Sequence, residues 1–280
     1  MLPSHLEAAI SEAWDFGNPR ASMEDFAART QTEESESSRQ IWRTQMARAL
    51  GLQGDYEGAK EILAKVRAAI DQLPHGPDRH HLSARWEIEY GRVLNSEGEP
   101  AAARPYFERA HQEAVAAVAE GLAIDALHMI AIVEGKLGGP SWSRVWNEQA
   151  LSQAQASRDP DARRWQASLL NNLGWNFHEA GDYEGALDRF EQAARLRRQS
   201  GTPVAIEQAE WAVGRALRSL GRFDEALAVQ LGLASQPPGA DDGYVYQEIG
   251  ENLRALGRVE QAESALARAR ELLGPEPTAG

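Results

Sequence analysis

The sequence contains no cysteine, so disulfide bonds, thiolate metal sites and cysteine nucleophiles are excluded. Long apolar runs are lacking as well. The longest charge-free one, Ala126–Val133, is much shorter than the ~20 residues that a membrane-spanning helix needs. The first residues also lack the basic and apolar regions of a signal peptide. We therefore expect a cytoplasmic protein that has no membrane partner.

Positive charge is scarce relative to negative charge. The chain has 29 Lys and Arg residues against 42 Asp and Glu residues, which gives a formal net charge of −13. Proteins that bind nucleic acids normally carry a basic excess, so we do not expect a nucleic-acid partner. The 24 glycines and 13 prolines stand between apolar helical patterns and not in a long linker. This distribution predicts that residues 1–280 form one continuous domain.

Sequence patterns typical of catalysis and metal binding are missing. There is no phosphate-binding loop, dinucleotide fingerprint, nucleophile elbow or calcium loop, and no two histidines stand four residues apart. The adjacent pair His80 and His81 is expected to be solvated, in a connection or at a helix start. We expect a non-enzymatic protein with no cofactor and no metal. An active site assembled from residues distant in sequence is the alternative that the sequence leaves open.

Residues 169–193 read as two amphipathic helices joined by a turn. Apolar and small side chains recur at helical spacing before and after Gly181-Asp182, where glycine permits the positive φ of a tight turn. Gly174 and Ala186 are expected to let the two helices cross closely, while larger side chains fill the flanks. Those larger side chains are Phe177, Tyr183 and Phe190.

The same pattern returns through most of the chain. The expected turn glycines are Gly54, Gly98, Gly138, Gly181, Gly221 and Gly257. Seven residues before each glycine stands a small residue, namely Ala47, Gly91, Ala131, Gly174, Gly214 and Gly250. Five residues after each glycine stand Ala59, Ala103, Ser143, Ala186, Ala226 and Ala262. The same residue types recur at these positions in six successive copies, which predicts a helical repeat array. The third copy departs most from the pattern because its turn is Gly-Gly-Pro.

These residues resemble the signature of the tetratricopeptide repeat (TPR) family. The resemblance covers about residues 35–273, and the intervals of 36 to 44 residues between turn glycines are similar to those of kinesin-light-chain arrays and bacterial cytoplasmic TPR proteins. It implies an all-α, right-handed TPR superhelix (an α-solenoid) of about seven antiparallel helix pairs. The expected repeats are about 40–73, 84–117, 124–157, 167–200, 207–240 and 243–276, preceded by a degenerate pair in residues 1–34. Signature residues are packing residues, so the resemblance specifies the fold and names no partner.

The ends of the array and the tryptophans carry further expectations. The degenerate pair should cover the apolar side of the first good repeat. At the other end, the last helix either is polar enough to end the stack or packs on a second subunit, which makes a homodimer through residues 243–273 a hypothesis. Five tryptophans are expected to pack as core, namely Trp42, Trp86, Trp142, Trp146 and Trp165.

The groove that first helices line in TPR arrays is the expected binding surface. With each turn glycine numbered 15, the groove face falls at repeat positions 2, 5, 9 and 12. These 24 positions hold six arginines, no lysine and two acidic residues. Arginine favours bidentate recognition of carboxylate or phosphate, and arginine and tryptophan are enriched at binding hot spots. The six arginines are Arg48, Arg85, Arg92, Arg215, Arg218 and Arg254.

We predict a scaffold or adaptor that binds an acidic or carboxylate-bearing segment of another protein in this groove. The candidate residues are Arg48, Arg92, His128, Asn171, Asn172, Trp175, His178, Trp211, Arg215 and Arg218. The resemblance implies that Asn172 holds the peptide backbone. A different hypothesis is a regulatory sensor that binds a small anionic molecule in the same groove. A third is that the arginines pair with neighbouring glutamates and only stabilise the fold, for example Arg92 with Glu89, or Arg254 with Glu251 or Glu248.

Overall fold

A computed structural model describes residues 5–274, which are helical throughout apart from short connections. The chain divides into two compact units, residues 1–165 (unit 1) and residues 166–280 (unit 2). The helices of unit 1 are α1 His5–Ala13, α2 Pro19–Thr32, α3 Glu36–Leu52, α4 Tyr56–Gln72, α5 Pro77–Ser96, α6 Pro100–Ala116, α7 Glu120–Gly138, α8 Pro140–Ala156 and the short α9 Pro160–Arg163. Those of unit 2 are α10 Gln166–Glu179, α11 Tyr183–Ser200, α12 Pro203–Ser219, α13 Phe223–Ala234, α14 Gly243–Ala255 and α15 Val259–Leu273.

Successive helices pack in pairs, which confirms the all-α TPR fold class. Among the described residues, unit 1 contains three extensively packed pairs, from α3–α4 to α7–α8, and unit 2 contains three, from α10–α11 to α14–α15. The predicted degenerate pair corresponds to α1 and α2, but α2 packs mainly against α3, and α1 makes few contacts with α2. Helix α1 begins at His5, so residues 1–4 of the predicted degenerate pair lie outside the described residues. Whether the two units continue as one solenoid stays a prediction.

Local sequence explains where the helices begin and end. The side chains of Asp55 and Asp182 accept hydrogen bonds from backbone N–H groups in the first turns of α4 and α11. Proline occupies the first turn of α5, α8 and α12, where its missing N–H costs nothing. Gly54 and Gly181 turn the chain between paired helices with φ of 81° and 79°.

The third repeat differs from the expected turn. The positive φ of 86° belongs to Gly139, whereas Gly138 is the last residue of α7. Because Pro140 begins α8 directly after Gly139, the connection is a single residue, two fewer than the three residues that join the paired helices of the other repeats. The prediction of Gly138 as the turn glycine is therefore wrong, although Ser143 is buried at the packing position predicted for it.

Close helix crossings form the repeated core. A Cβ atom added at Gly91 would lie 2.6 Å from Cε1 of Phe107, and one added at Gly174 would lie 2.4 Å from Cε1 of Phe190. Both rings are fully buried, so the absence of a side chain at these glycines sets the distance between the paired helices. Ala186, on the second helix of the central pair, is also fully buried.

The expectation that five tryptophans form core holds only in part. Trp42 is buried, and Trp86, Trp146 and Trp165 are half-buried, but Trp142 is 58% exposed. Trp142 lies in the first turn of α8, where its ring covers Gly138 instead of entering the interior. The prediction of a core role for Trp142 is therefore wrong, because the short Gly-Gly-Pro turn starts α8 early.

Helix α15 leaves part of its apolar surface uncovered within the described residues. Ala262, Leu266 and Ala269 are buried as expected, whereas Val259 and Leu273 are exposed. The hypothesis of a homodimer through residues 243–273 stays a prediction.

Val118 has an unfavourable backbone conformation, and relieving it is expected to stabilise the protein. Its φ is 55°, a left-handed value that is costly for a β-branched residue, and its side chain is 80% exposed. Val118→Asn should raise the free energy of unfolding by about 0.5–1 kcal/mol, because asparagine tolerates this region and little burial is lost. Thermal melting measures the change, with Val115→Asn, an exposed helical position in α6, as the control that should not gain stability.

Candidate binding surfaces on the first helices of the repeats

The ten predicted site residues divide between the two units, and all ten are half-buried. Unit 1 holds three of them, Arg48 on α3, Arg92 on α5 and His128 on α7. Unit 2 holds the other seven, on α10 and α12. Each unit thus carries its own group of predicted groove residues, with its own charge balance.

In unit 1, Arg92 is held by two carboxylates. Its Nη1 lies 2.6 Å from Oε1 of Glu89, and its Nη2 lies 2.6 Å from Oδ1 of Asp125. Both carboxylates are buried. Burial raises the pKa of Asp125, but the charges of Arg92 and Arg48 outweigh it and bring that pKa below its usual range. The pairing of Arg92 with Glu89 that the sequence left open is confirmed, so this guanidinium has a structural role.

Arg48 rests on aromatic rings. Its guanidinium lies 5.2 Å from the ring centroids of Trp14 and Phe16. Burial lowers the pKa of Arg48 to about 10, so it stays charged at neutral pH. The positive charges of Arg48 and Arg92 together balance the negative charges of Glu89 and Asp125. Burial lowers the pKa of His128 to about 4, so its ring, 5.3 Å from that of Trp165, is neutral at physiological pH.

The segment from α1 to Phe16 lies against the predicted groove face of unit 1. Glu7 contacts Arg85 and His81 of α5, with the His81 Nε2 atom 3.1 Å from Oε1 of Glu7. Trp14 donates from Nε1 to Oε1 of Gln45 on α3 over 2.9 Å. Sequence reasoning treated α1 as a cover for the first repeat and did not identify Glu7, because only the fold brings it to a helix that begins 70 residues later.

His80 and His81 lie at a helix start, as one of the two expected placements had it, but each pairs with a carboxylate, and His81 is largely buried. Helix α5 begins at Pro77, so both histidines lie in its first turns. The Nδ1 atom of His80 lies 2.7 Å from Oε2 of Glu113, and His81 meets Glu7. Burial raises the pKa of Glu7, but the charge of Arg85 and the hydrogen bond with His81 lower it to about 2.

In unit 2, two arginines share one buried carboxylate. Arg218 donates from Nε and Nη2 to the two oxygens of Glu248 over 2.7 and 2.9 Å. Arg215 Nε lies 3.5 Å from Oε1 of the same carboxylate, and its Nη1 donates to Oγ of Ser219 over 2.7 Å. Burial lowers the pKa of Arg215, and the positive charge of Arg218 lowers it further. Glu248 therefore serves two arginines at once, and the charge of Glu251 adds a further attraction for Arg218.

Aromatic side chains lie beside these arginines. The rings of Trp175 and Trp211 are 6.1 Å apart, and His178 packs 5.4 Å from Trp175. The Nε2 atom of His178 lies 2.8 Å from Oγ of Ser219. Burial lowers the pKa of His178, as do the charges of Arg215 and Arg218, so this histidine is neutral at pH 7. Asn171 and Asn172 lie on α10, one turn before Trp175.

Unit 2 also contains a carboxyl pair that the sequence did not indicate. Glu207 on α12 is hydrogen-bonded to Asp242, whose side chain also caps α14 by accepting from the Tyr244 N–H over 2.7 Å. Burial, together with the hydrogen bond to Asp242 and the negative charge of Asp242, raises the pKa of Glu207 to about 7. The pair links α12 to the start of α14 and has no visible part in the arginine surface.

The family model described as tetratricopeptide repeat matches residues 122–199. Residues 122–199 carry tetratricopeptide repeats. The match spans the pair α7–α8, the short helix α9 and most of the pair α10–α11, and the same pairing of helices continues on both sides of it. A comparison with curated protein sequences finds no match.

Solved structures with the same repeats resemble this chain in fold. The apo form of RapI is 12% identical, with a TM-score of 0.66, and the match covers 96% of this chain and 74% of RapI. A putative kinesin light chain from Podosopora anserina with nearly identical TPR-like repeats is 16% identical, with a TM-score of 0.52 and coverage of 85% and 99%. At such identities the likeness shows the fold alone.

Residues 5–274 contain neither a membrane-spanning helix nor a cluster of metal-ligating side chains. None of their helices is both long enough and apolar enough to span a membrane. They also contain no group of three or more His, Cys, Asp or Glu side chains that could hold a metal ion.

Proposed function

We propose that this TPR chain is a non-enzymatic protein-interaction module whose unit 2 binds a carboxylate-bearing segment of another protein. The observation that carries the proposal is the surface formed by Trp175, Trp211, Arg215 and Arg218, which we call the tryptophan–arginine surface. Half-buried tryptophans beside arginines are typical of binding hot spots, because a ligand buries their large area with little loss of side-chain entropy.

The chemistry of the ligand follows from the charge balance of this surface. Arg215 and Arg218 share the single carboxylate of Glu248, so a second carboxylate would complete the pairing. Within residues 5–274, Arg215 makes one side-chain hydrogen bond, to Ser219, and a longer ion pair of 3.5 Å with Glu248, so it is the better placed of the two to turn towards a ligand. A carboxylate from a side chain or a chain terminus fits this demand, because guanidinium binds it through two N–H groups.

The Arg215→Ala, Arg218→Ala double variant tests this assignment. Full-length protein is used to select binders from a displayed library of random peptides, and the affinities of the selected peptides are measured by fluorescence anisotropy. We expect selected peptides to be rich in Asp or Glu and the double variant to bind them at least tenfold more weakly, a loss of about 1.4 kcal/mol or more. Replacing the acidic residue of the peptide with its amide should cause a similar loss.

Two controls separate binding from folding. Arg222→Ala removes an exposed arginine of the same unit that pairs only with Glu225 in the described residues, and it should leave the affinity unchanged. Circular dichroism checks that the double variant keeps its helices, since Glu248 loses both of its partners. Equal affinity of wild type and a folded double variant would contradict the proposal. Binding of small carboxylic acids but of no peptide would favour the alternative, a sensor of a small anionic molecule.

A further inference from the structure

Helix α1 and the residues after it occupy a surface of unit 1 that the TPR repeats present to partners. Glu7 meets Arg85, a predicted groove position of α5. Trp14 meets Gln45 of α3, and Trp14 and Phe16 stack beneath Arg48, a predicted groove position of α3. The segment His5–Phe16 thus covers groove-facing residues of two successive first helices, as a bound peptide would.

The contacts of α1 combine one carboxylate with an apolar stripe. Leu6 and Ile10 stand one helical turn apart and are buried in a cluster with Phe26 and Ile41. Glu7 is 14% exposed between Arg85 and His81. Ser11, one turn after Glu7 on the same side, accepts a hydrogen bond from Nη1 of Arg164 over 2.7 Å, whereas Glu12 lies on the opposite, exposed side. The guanidinium of Arg85 and the imidazole of His81 therefore form a site that can bind the carboxylate of an acidic side chain.

The surface beside α1 offers further donors. A cavity of about 510 Å³ is lined by Glu7, Arg85 and Trp165 among others. The Nε atom of Arg85 and the Nε1 atom of Trp165 are buried and have no hydrogen-bond partner among the described residues. Arg85 as a whole is only 4% exposed. These two buried N–H groups lie beside the carboxylate of Glu7 and could each donate to an acceptor that α1 does not supply.

Helix α1 is short enough to be exchangeable. It has nine residues, and helices of fewer than about 12–15 residues are marginal in water without tertiary contacts. Its position therefore depends on the contacts of Glu7 and on the burial of Leu6 and Ile10. A partner helix with the same combination could replace these contacts one for one.

The surface beneath α1, formed by Arg85 and His81 around Glu7 and by Phe26 and Ile41 around Leu6 and Ile10, is called the α1 seat. We propose that the α1 seat is a docking site for an amphipathic helix of a partner protein that places a carboxylate beside an aliphatic stripe. Helix α1 occupies the seat in cis and competes with that partner. The site lies wholly in unit 1 and does not depend on the tryptophan–arginine surface of unit 2.

The test measures whether opening the seat allows binding in trans. The probe is a fluorescein-labelled peptide with the sequence of residues 5–16, and the protein is the full chain. Glu7→Arg reverses the charge that holds α1, so we expect the variant to bind the probe at least tenfold more tightly than wild type. A probe that carries Gln in place of Glu7 should lose most of this gain, because it cannot supply the carboxylate.

A matched variant and an exchange measurement keep the test decisive. Glu12→Arg makes the same charge change on an exposed position of α1 and should bind the probe as wild type does. Amide hydrogen exchange should become faster in α1 of Glu7→Arg and stay unchanged in α3 and α5. If Glu7→Arg does not fold, Glu7→Gln replaces it, with an expected gain of at least threefold.

The outcomes that overturn the proposal are specific. Probe binding equal to that of wild type in the folded Glu7 variant would show that the seat does not accept a helix in trans. Exchange that rises equally in α1, α3 and α5 would show that α1 is an integral part of the core. Arg215→Ala with Arg218→Ala should leave probe binding unchanged, so this proposal and the proposed function fail independently.

Discussion

Replacing Gly174 with leucine is expected to lower the free energy of unfolding by about 1–3 kcal/mol or more. Even the first atom of a side chain, the Cβ, would lie 2.4 Å from Cε1 and 2.5 Å from Cδ1 of Phe190. Phe190 is fully buried and cannot move aside without displacing its neighbours. Chemical denaturation followed by circular dichroism measures the loss.

A second glycine in the same unit provides the control. Gly232 lies in α13, where an added Cβ would meet nothing within 4 Å. Gly232→Ala is expected to stabilise the protein by roughly 0.5–1 kcal/mol, because alanine has the higher helix propensity. Gly174→Ala should destabilise it, so the two identical substitutions should have opposite signs. Equal effects would contradict a close helix crossing at Gly174.

Arg92→Met is expected to cost about 3–5 kcal/mol of stability, because it removes the guanidinium that hydrogen-bonds to two buried carboxylates and leaves only Arg48 nearby to balance their charges. Glu89 and Asp125 are 1% and 4% exposed, and Arg92 bridges them. Methionine keeps much of the volume of the arginine stem, so the loss measures charge and hydrogen bonding more than packing. Arg254→Met is the matched control. Arg254 also pairs with a glutamate three residues earlier, but Arg254 is exposed and Glu251 only half-buried, so we expect a change of about 0–1 kcal/mol.

The pH dependence of stability should also change sign for the Arg92 variant. In the wild type the pKa of Asp125 lies below its unfolded value, so its contribution is present above that value and is lost as the pH falls through the folded pKa. Without Arg92, burial should raise the pKa of this carboxyl above its unfolded value. The variant should then gain stability as the pH falls from about 7 to about 5, whereas the contribution of Asp125 in the wild type is flat there. Denaturation curves across this range distinguish the two slopes.

Much of the fold could be predicted from the sequence because its rules are local. Gly174, Ala186 and Phe190 stand at spacings that a helical hairpin alone explains, and the structure places all three in one crossing. The third repeat was the exception. There, the choice between Gly138 and Gly139 depends on where Pro140 starts the next helix, which the repeat spacing did not reveal.

The candidate surfaces were predicted less well than the fold. The repeat numbering correctly placed Arg48, Arg92, Arg215 and Arg218 on first helices. The charges, however, were counted on only one face of each helix. Glu89 and Glu248 stand at repeat position 6, outside that count, and they take up most of the positive charge. The apparent basic groove therefore becomes a cluster of paired charges in unit 1 and, in unit 2, two arginines that share the carboxylate of Glu248.

The sequence by itself determined the class of fold, the pairing of helices and the places where side chains must be small, because helical periodicity and turn chemistry act between residues close in the chain. The tertiary structure alone decided which charges are paired and which surface α1 covers. The Coulomb energy of a pair depends on distance and burial in three dimensions. Glu7 and Arg85 are far apart in sequence, and only the packing of the repeats brings them together.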